Sequence, residues 1–340
     1  MREFLLLTKA DQQLTIEQAA TRQGWAASSV EKDFWVCWTL RQLFAMPELA
    51  GNLTFKGGTS LSKAWGLIDR FSEDIDLTIE RQALGFGGEN SPEQACTSKQ
   101  QSKRLKALRM ACGEFVRNEL LPKLVGRIQS ELGATGWTLS SDANDPDSQT
   151  LLLHYPTHFE AVQARYVGPA IRIEFGARSD PWPAQQRAVR PVMAEVFPQM
   201  FNDPETLVQA LAPERTFWEK AMLLHEETYR PNDKPRRPRM ARHYYDLYRL
   251  IESGVAARAA RDKALFDHVL AHRRVFFSQS WVDYRTLAPG ALRLLPSVER
   301  EAGWRKDYVA MQSEMFSIAP PTFDQVLALV EQFQTAFNLP

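Results

Sequence analysis

The chain has 340 residues, apolar and charged fractions of 44% and 24%, and a formal net charge of zero. This composition is typical of a globular protein with one large domain or two ordinary ones, and it excludes a disordered or fibrous chain. Phe4 to Leu7 is too short an apolar stretch for a secretory signal, and no apolar run is long enough to span a membrane. We therefore expect a cytoplasmic protein without a membrane partner.

The three cysteines point to neither a disulfide framework nor a zinc site. Cys37, Cys96 and Cys112 are an odd number, widely separated, and lack CxxC spacing. We expect them to be ordinary core or surface thiols.

The N-terminal region predicts two helices between Thr15 and Met46, broken near Gly24. Ser28 and Ser29 are plausible caps for the second helix. The triplet Glu31-Lys32-Asp33 that follows is typical of a solvated first turn.

A pair of acids stands in the stretch Phe55 to Ile79. Asp74 and Asp76 alternate with the apolar residues Ile75, Leu77 and Ile79. Because side chains two apart in a strand share a face, the two carboxylates should lie side by side while the apolar residues face a core. This is an arrangement that can hold a metal ion.

A turn of small residues, Lys56-Gly57-Gly58-Thr59-Ser60, precedes these acids and opens onto an amphipathic segment. Backbone N–H groups at the start of a helix attract phosphate. A phosphate-binding turn, a helix and then paired acids on a strand predict a metal-dependent site that handles nucleotides.

Three further strands are predicted to extend the same sheet: Trp137 to Leu139, Thr150 to Tyr155, and Ala170 to Phe175. In the last of these, Glu174 is a candidate third carboxylate for a metal, since such sites commonly take an acid from a neighbouring strand. A salt bridge with Arg172 or Arg178 fits Glu174 at least as well.

Beyond the prolines near residue 190 the periodicity becomes helical, which predicts a boundary near residue 200 between domains 1–200 and 201–340. The predicted helices are Pro204 to Leu211, Pro213 to Glu227, Ala241 to Glu252, Ala256 to His272, and Phe323 to Phe337.

Two basic stretches stand out in this electrically neutral chain. One is the first half of a helix predicted from Lys99 to Leu132. The other is a loop from Arg230 to Arg242 that is interrupted by prolines and has Asp233 as its single acid. Each stretch fits a solvated surface or a phosphate contact equally. The loop's candidate RNA contacts are Arg236, Arg237, Arg239 and Arg242.

The run GGTSL followed by RFSEDIDL resembles the signature of the polymerase-beta-like nucleotidyltransferases. Its RFSEDID form is similar to the AbiEii/AbiGii toxin family, which is related to the MenT-type toxins. The resemblance implies an α+β fold. In it, a nucleotidyltransferase core with a mixed β-sheet flanked by helices is followed by a helical C-terminal half that completes the active site.

The resemblance also implies the residues of the site. Asp74 and Asp76 would be catalytic metal ligands. Lys220, and Asp246 in an R-x-x-Y-D-[IL]-Y setting, would be catalytic residues of the helical half, where periodicity alone makes them surface charges. The loop between these two is longer than in the family pattern. The implied nucleotide and phosphate contacts are Lys56, Gly57, Gly58, Thr59, Ser60, Arg70 and Ser72.

A protein that resembles this family is expected to transfer NMP from an NTP to RNA, such as the 3′ end of tRNA, with Mg²⁺ or Mn²⁺. It would be the toxin of a toxin–antitoxin or phage-defence pair, with a separately encoded antitoxin, for example a winged-helix protein. The same catalytic parts also serve nucleotidylation of a protein hydroxyl, as in AMPylation, or of a small molecule, as in aminoglycoside modification. A degenerate site in a nucleotide-binding module is a further alternative.

Overall fold

The computed structural model describes residues 1–159, 170–316 and 319–339. The chain forms two compact units. The N-terminal unit comprises Met1–Trp65 and Phe71–Leu211, and the C-terminal unit comprises Gly66–Arg70 and Ala212–Pro340.

A seven-stranded mixed sheet forms the centre of the N-terminal unit. Its strands are β1 Leu53–Lys56, β2 Ile75–Ile79, β3 Thr138–Ser141, β4 Thr150–His154, β5 Ala170–Gly176, β6 Ala184–Val189 and β7 Thr206–Leu211. They lie in the order β3-β4-β5-β2-β1-β7-β6. In the middle of the sheet β1 pairs antiparallel with β2, and β2 pairs parallel with β5.

Helices of the same unit accompany the sheet. They are α1 Arg2–Leu5, α2 Lys9–Gln23, α3 Ala27–Phe44, α4 Gly57–Lys63, α5 Ser98–Phe115, α6 Leu121–Leu132 and α7 Val192–Val196, with a π-helical segment Val116–Leu120 joining α5 to α6. The structure confirms the two N-terminal helices, which Gly24 separates in the left-handed conformation. It also confirms the α+β class with a mixed sheet.

One predicted helix is a strand. The segment from Pro204 to Leu211 contains β7, which pairs in parallel with β1 and antiparallel with β6. Thr206, Val208 and Ala210 are buried, whereas Leu207 and Gln209 are exposed. This period of two is the signature of a strand, and pairing on both sides outweighs the helical propensity of the segment.

The charged start of α3 is buried, so the expectation of a solvated first turn was wrong. Glu31, Lys32 and Asp33 are between 2% and 4% exposed. The predicted serine caps were also wrong, because α3 begins after Ala26 without a side-chain cap.

Each buried charge in the triplet has its own partner. Glu31 accepts hydrogen bonds from Thr157 Oγ1 at 2.7 Å and from the backbone N–H of His158 at 2.8 Å. Lys32 pairs with Glu73 at 2.5 Å. Buried charges are stable only when they are paired in this way, so Glu31 and Lys32 fix α3 to two separate segments of the N-terminal unit.

Asp33 joins α3 to α4 and α7. Its carboxylate accepts from Lys63 Nζ at 2.6 Å and from the backbone N–H of Val192 at 2.6 Å. Burial opposes the charge of Lys63, but the carboxylate of Asp33 outweighs this effect and raises the pKa of Lys63.

The C-terminal unit is helical. Its helices are α8 Pro213–Thr228, α9 Arg242–Glu252, α10 Val255–Arg261, α11 Lys263–Phe276, α12 Val298–Met315 and α13 Phe323–Asn338. The helix predicted from Ala256 to His272 is two helices, because the side chain of Asp262 accepts from Leu265 N and begins α11. Helix α12 was not predicted from the sequence. Among the described residues, no helix is both long and apolar enough to cross a membrane.

We predict that Asp33→Asn lowers the free energy of unfolding by about 3 kcal/mol, because it leaves Lys63 buried without a carboxylate. Urea denaturation followed by tryptophan fluorescence would measure the change. Glu48→Gln is the matched control in the same unit. It breaks a solvent-exposed ion pair with Lys123, so little or no change is expected. Equal effects of the two variants would contradict the prediction.

Candidate active site

A carboxylate packs against a glycine at the end of β1. Lys56 ends this strand and lies opposite Asp76 of β2 in the register. The chain then turns into α4 at Gly57, which has a φ of +78°. A Cβ added to Gly57 would lie 2.0 Å from Oδ2 of Asp76. The left-handed backbone and this close approach together require glycine at residue 57.

Thr59 holds the glycine turn to residues 72–76, which we call the acidic segment. Its Oγ1 donates to the backbone oxygen of Asp74 at 2.5 Å and lies 2.9 Å from Ser72 Oγ. Thr59 is fully buried, whereas Gly58 is half-buried at the start of α4. Ser60 is 2% exposed, and its Oγ has no hydrogen-bond partner among the described residues. Buried hydroxyl groups are normally paired, so Ser60 retains a donor that a ligand could use.

Acidic side chains surround Asp74, which directly precedes β2. Asp76 lies in β2, and Glu174 of β5 is its register partner. The protein atoms around the Asp74 carboxylate, together with the negative charges of Asp76, Glu73 and Glu174, raise the pKa of Asp74 to about 6. The residue nevertheless remains exposed to solvent. This part of the N-terminal unit therefore has an excess of negative charge.

Glu174 also has a basic partner. Its carboxylate accepts from Arg172 Nε at 2.6 Å, as the salt-bridge interpretation of the sequence expected. Within the described ranges, no group of three or more His, Cys, Asp and Glu side chains is arranged to hold a metal ion. A role for Glu174 as a metal ligand therefore remains a prediction.

Lys32 and Glu73 also belong to this region, although neither was among the predicted site residues. Lys32 is the cation among the charges that act on Asp74, and its pair with Glu73 links α3 to the acidic segment. The signal available in the sequence was the Glu31-Lys32-Asp33 triplet, three charged residues in succession near the start of α3.

The C-terminal unit contains a second group of predicted residues, centred on Asp246 of α9. Asp246 is fully buried and accepts two hydrogen bonds from Arg70, from Nε at 2.7 Å and from Nη2 at 2.9 Å. Lys220 of α8 lies 2.8 Å from its Oδ2. Burial alone would raise the pKa of Asp246, but Arg70 and Lys220 outweigh it and hold the pKa well below the ordinary value. Lys220 and Asp246, predicted from different helices, are therefore direct partners.

His243 is a second neighbour of Lys220. Its Nδ1 lies 3.4 Å from Lys220 Nζ. Burial, reinforced by the charges of Lys220 and Arg242, lowers the pKa of His243 well below its ordinary value. The imidazole is therefore neutral, and its Nδ1 accepts from Lys220. Burial and the charge of Arg70 likewise lower the pKa of Lys220, against the effect of Asp246. Positive charge thus exceeds negative charge around Asp246.

The basic loop is held by contacts within the C-terminal unit. The Arg236 guanidinium lies 3.9 Å from the ring centre of Trp304, and Asp307 accepts from the backbone N–H groups of Arg239 and Ala241 at 2.8 Å each. Arg242 Nη1 donates to the backbone oxygen of Arg239 at 3.1 Å, whereas Arg237 is exposed. These contacts hold the basic loop against α12. RNA contacts from Arg236, Arg237, Arg239 and Arg242 remain a prediction.

The central sheet, with its acids packed at a glycine turn, has the architecture of a nucleotidyltransferase. Over residues 38–329 the sequence matches the family model described as nucleotidyl transferase AbiEii toxin, type IV toxin–antitoxin system. Because this match covers most of the chain, the protein belongs to the AbiEii family and is a nucleotidyltransferase toxin. Membership of a toxin–antitoxin family implies an antitoxin partner.

A solved structure has a similar fold. MenT4, a nucleotidyltransferase toxin from Mycobacterium tuberculosis H37Rv, superposes with a TM-score of 0.50 and 17% sequence identity. The similarity covers 98% of this chain and 91% of MenT4. At this identity the similarity is one of fold. No curated protein sequence gives a significant match to the chain.

The acidic group around Asp74 predicts the pH dependence of stability in metal-free buffer. The pKa of Asp74 is about 6 in the folded protein and about 3.9 in an unfolded chain. The folded state therefore binds more protons between these values, and its stability falls as the pH rises from about 4 through about 6. Solvent around the exposed residue reduces the size of this effect.

Asp74→Asn removes the loss of stability that the ionised Asp74 causes. We therefore expect the variant's melting temperature to exceed that of the wild type by roughly 2 °C or more near neutral pH. The gap between the two melting temperatures should narrow towards about pH 4. Melting curves in EDTA across this pH range would measure it. Glu114→Gln removes an exposed acid of α5 and serves as the control. A difference that is constant with pH would contradict the assignment.

We further predict that Asp246→Asn destabilises the protein by about 3 kcal/mol or more, because the buried Arg70 and Lys220 then lose the negative charge of Asp246. Lys220→Met should cost less, since Arg70 keeps its two hydrogen bonds to Asp246. Chemical denaturation of both variants would compare them. The opposite order would show that Lys220 is the principal partner of Asp246.

Proposed function

We propose that the protein transfers a nucleoside monophosphate from an NTP to an RNA acceptor such as the 3′ end of tRNA, with the help of Mg²⁺ or Mn²⁺. The observation that carries this proposal is the packing of Asp76 against Gly57, beside Asp74. This contact joins the residues proposed to hold metal to the turn proposed to hold phosphate.

The donor set fits a magnesium ion. Mg²⁺ commonly binds through one or two carboxylates and the phosphates of its substrate, rather than in a cage made only of protein. Asp74 and Asp76 supply two such carboxylates, and the excess negative charge that raises the pKa of Asp74 is what a cation would neutralise. When bound, the metal would neutralise phosphate charge and lower the pKa of the acceptor hydroxyl.

The residues of the glycine turn are proposed to contact the NTP. Gly57 and Gly58 leave the backbone accessible to a phosphate, and the unpaired Ser60 hydroxyl supports a direct contact. Thr59 is better suited to positioning, because its hydroxyl is already bonded to the acidic segment. Ser72 and Lys56 flank the same turn and remain proposed phosphate contacts.

Lys220 is proposed to stabilise negative charge on the phosphates, with Asp246 orienting its ammonium group. Arg70, which is bonded to the same carboxylate, would add to the positive potential. An acidic ligand would relieve the excess of positive charge in this part of the C-terminal unit.

The RNA acceptor is supported by the basic loop and by α5. Lys99, Lys103 and Lys106 are exposed and repeat at helical spacing along one side of α5. Lysines in such an array suit a phosphate backbone. The family role as a toxin agrees with an essential RNA as the acceptor, and a cytoplasmic location follows from this proposal.

Labelling with each of the four NTPs, Mg²⁺ and total cellular RNA tests the proposal. We expect wild type to label RNA and Asp74→Ala to lose more than about 100-fold of the rate, since even removal of a group behind a metal ligand costs up to about 100-fold. Glu114→Ala is the matched control and should keep its activity.

The labelled product identifies the acceptor. Label in protein or in a small molecule, with RNA unlabelled, would replace the RNA proposal by one of the other acceptor classes. Absence of NTP consumption by wild type with every acceptor would indicate a nucleotide-binding module.

A further inference from the structure

A cavity of about 440 Å³ lies within the C-terminal unit, between the basic loop and α12. We call it the loop cavity. Its wall includes Arg230, Lys234 and Arg236 from the loop, and Arg300 and Trp304 from α12. Sites for small ligands commonly have volumes of about 300–1,000 Å³, so the loop cavity has room for one nucleotide.

Positive charge dominates this wall. The carboxylates are those of Glu227 and Glu299, and Glu227 is already paired with Arg230 at 2.6 Å. Arg300 donates to the backbone oxygen of Glu227 at 3.2 Å, and also to the backbone oxygen of Arg230 and to Asn232 Oδ1. All three acceptors are neutral, so these contacts orient the guanidinium of Arg300 without neutralising it.

Two other cations of the wall rest on aromatic rings. Arg236 lies over Trp304, at 3.9 Å from the ring centre, and donates to the backbone oxygen of Gly303 at 2.8 Å. Lys234 lies over Trp281, at 4.3 Å from the ring centre. These contacts fix the positions of both cations and leave their charge available to an anion.

The stack of Arg236 on Trp304 favours RNA over other anionic partners. Unpaired bases of RNA stack on aromatic rings and on the planar guanidinium of arginine. The guanidinium carbon of Arg236 lies over the Trp304 ring, and the half-buried side chain lines the cavity. An acidic peptide would use the charge of the wall but gain nothing from a planar stack.

We propose that the loop cavity binds one unpaired nucleotide of the RNA acceptor. Its phosphate would lie near Lys234 and Arg300, and its base against Arg236. The identity of the ligand rests on the function proposed above, whereas binding itself requires no transfer. Arg237 does not line the cavity, so the two neighbouring arginines of the loop are assigned different roles.

The test measures binding of a short single-stranded RNA to the full-length Asp74→Ala protein without NTP, by calorimetry and by the change in tryptophan fluorescence. In this background Arg236→Gln should weaken binding about tenfold, as loss of a stacking contact does. Arg237→Gln, with the same change of charge in the same loop, should weaken it by a clearly smaller factor of about twofold, because Arg237 lies outside the cavity wall and could contact only the RNA backbone there. Trp304→Phe should remove most of the fluorescence change on binding.

Arg236→Lys separates stacking from charge, because lysine keeps the charge and lacks the plane. We expect it to bind RNA as weakly as Arg236→Gln. Wild-type affinity in Arg236→Lys, or equal losses in Arg236→Gln and Arg237→Gln, would overturn the proposed site. Melting curves of all variants identify any loss of RNA affinity that is due to unfolding. If Arg236→Gln proves to be unfolded, Lys234→Gln provides a second cavity variant. We expect it to bind RNA more weakly than Arg237→Gln does.

Polyglutamate serves as a probe for charge alone. If it binds as tightly as RNA and loses affinity in the same variants, the occupant is an acidic protein segment and the RNA assignment fails. Failure of the proposed transfer reaction gives a different result, namely RNA binding with the expected pattern of variants but no labelling by wild type.

Discussion

The carboxylate of Asp76 sits where the side chain of residue 57 would otherwise be. The antiparallel register of β1 and β2 places the end of one strand beside an acid of the other, and only a residue without a Cβ permits the contact. Other features of the N-terminal unit preserve this geometry. Thr59 bonds the turn to the segment before β2, and the register with β5 places Glu174 next to Asp76.

The two units accumulate uncompensated charge of opposite sign. In the N-terminal unit, carboxylates gather around Asp74 and raise its pKa to about 6. In the C-terminal unit, basic groups gather around Asp246 and hold its pKa well below the ordinary value. Uncompensated charge of either sign is unfavourable in a folded protein, and it is found where a protein binds ligands of the opposite sign. Metal ions and polyphosphates are such ligands.

Much of the N-terminal site could be predicted from local sequence, because the alternation around Asp74 and Asp76 fixes which side chains face the core. Lys220 and Asp246 required the family resemblance, since their helical periodicity describes surface residues and the burial that pairs them is tertiary. Thr206 to Leu211 was mistaken for a helix although its burial alternates. The burial of Glu31, Lys32 and Asp33 was missed because their partners, including Glu73 and Val192, are distant in sequence.

The segment Gly66–Arg70 belongs to the C-terminal unit although both of its neighbours in the chain belong to the N-terminal unit. Neither unit is therefore a continuous stretch of polypeptide. A gene fragment that begins at Ala212 encodes α8 to α13 but omits Arg70, which forms two hydrogen bonds with the buried Asp246. On the ribosome, Arg70 is synthesised long before its partner in α9, so this ion pair forms only after most of the chain has emerged. Separate expression or exchange of the units between related toxins would have to carry these five residues along.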